Sequence, residues 1–101
     1  MKFGLSKTDY DRVDRLLFQP LKKKACRIWV FGSRARGDHR KFSDLDVLYT
    51  KLDSNEFPNG FLSEIKEQLE ESPLPIKINI VSSEDLAESY KPFIHKEKIE
   101  V

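Results

Sequence analysis

The sequence predicts an α/β (α+β) domain, a small mixed β-sheet flanked by helices, in the order α-β-β-α-β-α. Three observations carry this. Apolar residues recur at helical spacing near the N-terminus and again from Phe61 to Leu69. Three short runs rich in Val, Ile, Leu and aromatic residues lie between turn-forming stretches. Helical and strand patterns alternate along 101 residues without an internal repeat or a Gly/Ser linker, so residues 1–101 read as one domain of helices packed on a sheet.

The elements follow in order. Ser6 is placed to cap a helix carrying Tyr10, Val13, Leu16 and Leu17, which Pro20 is expected to close. Arg27 to Phe31 is a buried strand ending at Gly32, with Trp29 and Phe31 alternating with Ile28 and Val30, as a strand covered on both faces requires. Gly32 to Ser43 is polar and reads as a loop with about one helical turn. Asp44 to Tyr49 alternates acid and apolar residues before becoming wholly apolar, giving a second strand. After the turn-rich stretch from Asp53 to Gly60, Phe61, Leu62, Ile65 and Leu69 mark an amphipathic helix that Ser72-Pro73-Leu74-Pro75 ends. Ile76 to Val81 alternates cleanly as the third strand. Ser82 or Ser83 then caps a final helix through Leu86 and Tyr90, interrupted by Pro92, and Ile94, Ile99 and Val101 suggest a short closing element.

Composition narrows the function classes. With 18 basic and 17 acidic side chains the formal charge is +1, which excludes the strong global field of a DNA-coating protein. Lys22-Lys23-Lys24 reads as a solvated helix end, so a nucleic-acid partner is not expected. No apolar run approaches the ~20 residues needed to span a bilayer, and the N-terminus lacks a signal-peptide pattern. Cys26 stands alone, so no internal disulfide is available and a cytoplasmic location is expected. Two distant histidines, His39 and His95, and one cysteine are too few ligands for a zinc site. His39 and His95 read as surface residues, Cys26 as core, and Tyr10 and Tyr90 as packing at the core edge.

The chemistry concentrates in one stretch. Residues two apart on a strand share a face, so Asp44 and Asp46 present two carboxylates to one spot. Such a pair repels itself unless a cation relieves it, and Mg²⁺ takes one or two carboxylates together with substrate phosphates. Gly32, directly after a buried strand, lets the backbone approach a ligand, and Ser33 adds a hydroxyl. Arg34 and Arg36 supply forked guanidinium donors for phosphate, and Gly37 releases the turn. Alone, an Asp-x-Asp or a Gly-Ser turn is commonly an ordinary surface feature. Together, at the ends of neighbouring strands, they place a metal between its carboxylates and a nucleoside triphosphate.

The stretch GSRARGDHRKFSDLDV, from Gly32 to Val47, resembles the signature of the nucleotidyltransferase superfamily that includes DNA polymerase β, Gly-Ser followed about ten residues later by Asp-x-Asp. In length and element order the chain is similar to the minimal nucleotidyltransferase (MNT) antitoxins. The resemblance implies ATP as substrate with Mg²⁺ as cofactor, Gly32 and Ser33 holding the triphosphate, and Asp44 and Asp46 as metal ligands. It also implies a HEPN-domain toxin as partner, neutralised by transfer of AMP to a tyrosine or by direct binding. A chain of this size is expected to lack a deep acceptor pocket, so the acceptor arrives on a partner or on a second copy of this chain, as a homo-oligomer.

The family's third carboxylate falls on a later strand, where this chain has Asn79. An amide can lend a carbonyl oxygen to a cation but cannot accept a proton. Asn79 is therefore either a weak third metal position or a strand residue satisfying its own amide. The two functional expectations are an Mg²⁺-dependent nucleotidyltransferase acting on a protein hydroxyl, with Arg36 balancing developing phosphate charge, and a binding-only antitoxin with a weakened site.

Overall fold

The start of the first helix is encoded locally. Ser6 Oγ accepts the Asp9 N–H at 3.1 Å, and α1 runs Lys7–Val13. In the computed structural model, which describes residues 2–101, the helix does not stop at Pro20. It continues through a π-helical segment, Asp14–Phe18, into α2, Gln19–Lys23. Proline lacks an N–H and crowds the carbonyl one turn back. The wider turn, in which Gln19 N–H bonds the Asp14 carbonyl, re-spaces the backbone just ahead of Pro20 and admits it to the first turn of α2. The expected break at Pro20 is thus a change of helical pitch. Val13, Leu17, Phe18 and Leu21 are all buried along this composite helix.

The remaining elements are β1 (Cys26–Phe31), α3 (Ser33–Arg36), β2 (Leu45–Lys51), α4 (Phe61–Glu71), β3 (Ile78–Ser82), α5 (Lys91–Glu97) and β4 (Ile99–Glu100). They form a mixed four-stranded sheet in the order β3-β2-β1-β4, with β2 and β3 parallel and the other pairs antiparallel. A parallel pair needs a crossover, and α4 provides it between β2 and β3. The α/β sandwich expected from the sequence is the one observed, extended by β4.

Strand alternation divides the core. Cys26, Ile28, Val30, Leu45, Val47 and Tyr49 pack with α1, α2 and the buried Ile65 and Leu69 of α4. On the opposite face Trp29 and Leu48 pack with Ile94 of α5, flanked by Phe31, Val81 and Leu86. Both faces of β1 are covered, as its unbroken apolar run requires. Burial pushes the Cys26 thiol pKa up, which suits a packed and unreactive cysteine.

The last third of the chain departs from expectation. β3 begins at Ile78, and Ile76 and Lys77 lead into it, with Leu45 N–H donating to the Lys77 carbonyl at 3.0 Å. Ser82 does act as a cap, accepting the Glu84 N–H at 3.3 Å, but the turn ends after Ser83–Asp85. Helix α5 forms only from Lys91, with Pro92 in its first turn, where a missing N–H costs no hydrogen bond. Pro92 therefore opens the final helix and does not interrupt it. Tyr90, expected at the core edge, is 63% exposed, and Phe93 is 70% exposed. The closing element becomes β4, which pairs with Trp29 and Val30 and is clamped by Arg27 donating to both carboxylate oxygens of Glu100 at 2.9 and 2.6 Å. No helix among the described residues is long and apolar enough to cross a membrane.

Candidate active site

The site lies where β1 ends and β2 begins, on the α5 side of the sheet. Register brings the parts together: Phe31 of β1 faces Asp46 of β2, which lies beside Asn79 of β3. Asp44 precedes β2 and is exposed, whereas Asp46 and Asn79 are half-buried. Asn79 Nδ2 donates to Asp44 Oδ2 at 3.2 Å and to Asp46 Oδ1 at 3.0 Å. One amide N–H₂ thus ties the two carboxylates together and offsets part of their repulsion. Among the described residues no cluster of three His, Cys, Asp or Glu side chains that could hold a metal forms, and the side chain that joins the two acids is this amide.

Gly32 couples the two halves of the motif. Its backbone takes φ 76°, ψ −158°, a conformation that side-chain-bearing residues avoid. A Cβ at this position would run into the Asp46 carboxylate. The glycine is thus required twice, by the turn and by the acid beside it. Gly32→Ala is expected to lower stability by about 1–3 kcal/mol through strain and overpacking, a drop of roughly 5–15 °C in Tm by thermal unfolding. Ser33 follows as the first residue of α3, and its carbonyl accepts from the Gly37 and Asp38 N–H groups at 2.9 and 3.1 Å.

The two arginines of this turn separate. Arg34 was expected beside the nucleotide, yet it is 3% exposed. Its Nε donates to the Ser43 carbonyl at 2.9 Å, Nη1 to that of Phe3 at 2.8 Å and Nη2 to that of Lys41 at 3.1 Å. Every nitrogen of the guanidinium is therefore engaged by protein backbone. Arg34 pins the 37–43 loop and the N-terminal turn, and that corrects its place among the phosphate-binding residues. Arg34→Met, which keeps the bulk and removes the donors, is expected to cost about 3 kcal/mol or more by leaving buried carbonyls unpaired. Equilibrium denaturation in urea reads that loss.

Arg36 is exposed and donates from Nε to Asp38 at 3.1 Å and from Nη1 to Glu97 Oε2 at 2.7 Å. These acids hold its pKa above the usual guanidinium range, the Glu97 hydrogen bond most strongly. The other oxygen of Glu97 accepts the Gly32 N–H at 3.0 Å. Sequence reasoning missed Glu97, which reaches the site from the last turn of α5, 65 residues after Gly32. His39, expected at the surface, is half-buried against Gly4, whose lack of a side chain leaves room for the imidazole ring. His39 lies in the loop that Arg34 pins.

Comparison with known proteins bears on this geometry. A family model described as a nucleotidyltransferase domain matches residues 15–101, which include both halves of the motif and β3. The chain belongs to the nucleotidyltransferase domain family. A solved structure assigned as a minimal nucleotidyltransferase is 30% identical and superposes with a TM-score of 0.68, covering all of this chain and 97% of that one. That likeness sets this nucleotidyltransferase domain among the minimal members of the family. The probable protein adenylyltransferase MntA of Haemophilus influenzae is 34% identical over 71 residues, 68% of this chain and 59% of the relative, so the match spans about three-fifths of that protein. A toxin–antitoxin structure with AMP-PNP shares the fold at 18% identity and a TM-score of 0.63, over 86% of this chain and 70% of that one.

Proposed function

We propose that residues 1–101 act as one minimal nucleotidyltransferase domain that binds ATP with Mg²⁺ and transfers AMP to a hydroxyl on a partner protein. The observation that carries this reading is Gly32, whose absent side chain makes room for Asp46 and so joins the phosphate-facing turn to the acid pair. Asp44 and Asp46, one exposed and one half-buried, fit a hard divalent cation as carboxylate oxygen ligands, and Asn79 could lend its carbonyl oxygen as a weak third. The bound Mg²⁺ would neutralise phosphate charge and polarise the phosphoryl group. Gly32, Ser33 and Arg36 would hold the triphosphate oxygens through the Gly32 N–H, the Ser33 hydroxyl and the Arg36 guanidinium.

In the reaction the acceptor oxygen bonds to the α-phosphorus, the bond to the bridging oxygen breaks, and pyrophosphate leaves. The hydroxyl proton needs an acceptor, which Asn79 cannot be, so transfer is slow or uses Asp44, Asp46 or solvent as base. The acceptor must come from outside this domain. Tyr90 and Phe93 leave two large aromatics exposed around the start of α5, the helix that also carries Glu97, and they suit contact with a protein. A HEPN-domain toxin is the partner we favour, in keeping with the adenylyltransferase relative and the toxin–antitoxin neighbour. A second copy of this chain is the alternative acceptor, and the setting is cytoplasmic.

A second reading has its own observation. Asn79 satisfies both carboxylates from within the chain, as expected of a site that now serves binding, so the domain would neutralise its partner by association alone. Incubation with α-labelled ATP, Mg²⁺ and the co-encoded neighbouring protein separates the two. Label on the protein acceptor supports transfer. A stable complex without label, under conditions where ATP binds, supports the second reading.

A further inference from the structure

Glu97 occupies the donors that the reading above gives to phosphate. One carboxylate oxygen takes the Gly32 N–H at 3.0 Å and the other takes Arg36 Nη1 at 2.7 Å. The side chain is only 18% exposed, although Arg36 is about half exposed and its second partner Asp38 more so. Helix α5 holds it there, anchored by the buried Ile94 against Trp29 and Leu48. A carboxylate presents a guanidinium and a backbone N–H with the same delocalised anionic oxygens as a phosphate does. We infer that Glu97 is an internal competitor for the triphosphate, an anion of the chain's own that must leave Gly32 and Arg36 before phosphate oxygens take them. The inference rests on the nucleotide-binding reading and adds to it a residue that sets nucleotide affinity.

Competition and support predict opposite signs. If Glu97 competes, removing its charge weakens its hold on the two donors and tightens binding. If it serves only to hold Arg36 and the Gly32 turn in place, removing it loosens them and weakens binding. The test is calorimetric titration of the wild-type chain, Glu97→Gln and Glu97→Ala with Mg²⁺–ATP, inorganic triphosphate and adenosine. Glu97→Gln keeps the shape and the helix, so a folded variant is available even if Glu97→Ala is unstable. Both variants are expected to bind Mg²⁺–ATP and triphosphate about tenfold more tightly, the scale of a charge-assisted hydrogen bond no longer displaced, with adenosine unaffected. Unchanged or weaker binding of ATP by both variants overturns the competitor role and leaves the nucleotide site standing. Absence of ATP and triphosphate binding in all three proteins overturns the nucleotide reading, and the competitor role with it.

Discussion

Asp44→Ala is expected to abolish adenylyl transfer while leaving the fold nearly unchanged. Asp44 precedes β2, is exposed, and contributes one hydrogen bond of 3.2 Å, from Asn79. Removing it relieves repulsion with Asp46, so the net change in stability should stay within about 0.5 kcal/mol. The functional change is far larger. A carboxylate ligand lost from a two-carboxylate site removes charge stabilisation worth several kcal/mol, which is about 10³-fold or more in rate. Parallel measurements of thermal unfolding and of label transfer from α-labelled ATP check both halves. Transfer retained in a folded Asp44→Ala protein would remove the acid pair from the mechanism. Lost transfer with intact neutralisation of the partner would show that binding alone protects. Asp46 is a poorer probe, because it is half-buried against Gly32 and in register with Asn79, so its loss also disturbs packing.

The parts of this architecture that were legible in the sequence are those governed by local rules. Strand alternation over 44–49 and 76–81 placed Asp46 and Asn79 on strands, and their direct pairing follows from the parallel register. The Gly-Ser turn and Asp-x-Asp were legible because both the glycine and the two-residue spacing have immediate physical consequences. Arg34 and Arg36 were not separable. Two residues on a one-turn helix point about 200° apart, so one turns inward and one outward, and only the surrounding carbonyls of Phe3, Lys41 and Ser43 decide which. Pro20 and Pro92 depart for one shared reason, since a proline within a helical apolar pattern predicts a break. Each sits instead in the first turn of a helix, the first behind a π-helical segment and the second behind an exposed turn. Glu97 left no local signal, since an acid on the last turn of a short helix reads as surface until the sheet brings Gly32 beside it.

The same register makes Asn79→Asp the substitution with the largest expected gain. Without a cation it should be costly. The amide hydrogen bonds of 3.2 and 3.0 Å to the two acids are lost, and a third negative charge enters a half-buried spot. About 2 kcal/mol of destabilisation follows, near 10 °C in Tm, when the protein is held in chelator. Mg²⁺ should reverse the sign, because three converging carboxylates bind a divalent ion more tightly than two, and ligand binding to the folded state raises its stability. The Mg²⁺-induced rise in Tm is therefore expected to be larger in Asn79→Asp than in wild type. The new carboxylate can also accept the proton that the amide cannot, a contribution of about 10²-fold or more to transfer. Label transfer and unfolding, each with Mg²⁺ and with chelator, test the two consequences separately. A gain in metal stabilisation with no gain in transfer would make residue 79 a ligand position only. A gain in neither would mean that the amide of Asn79 serves the strand and that the chemistry depends on Asp44 and Asp46 alone.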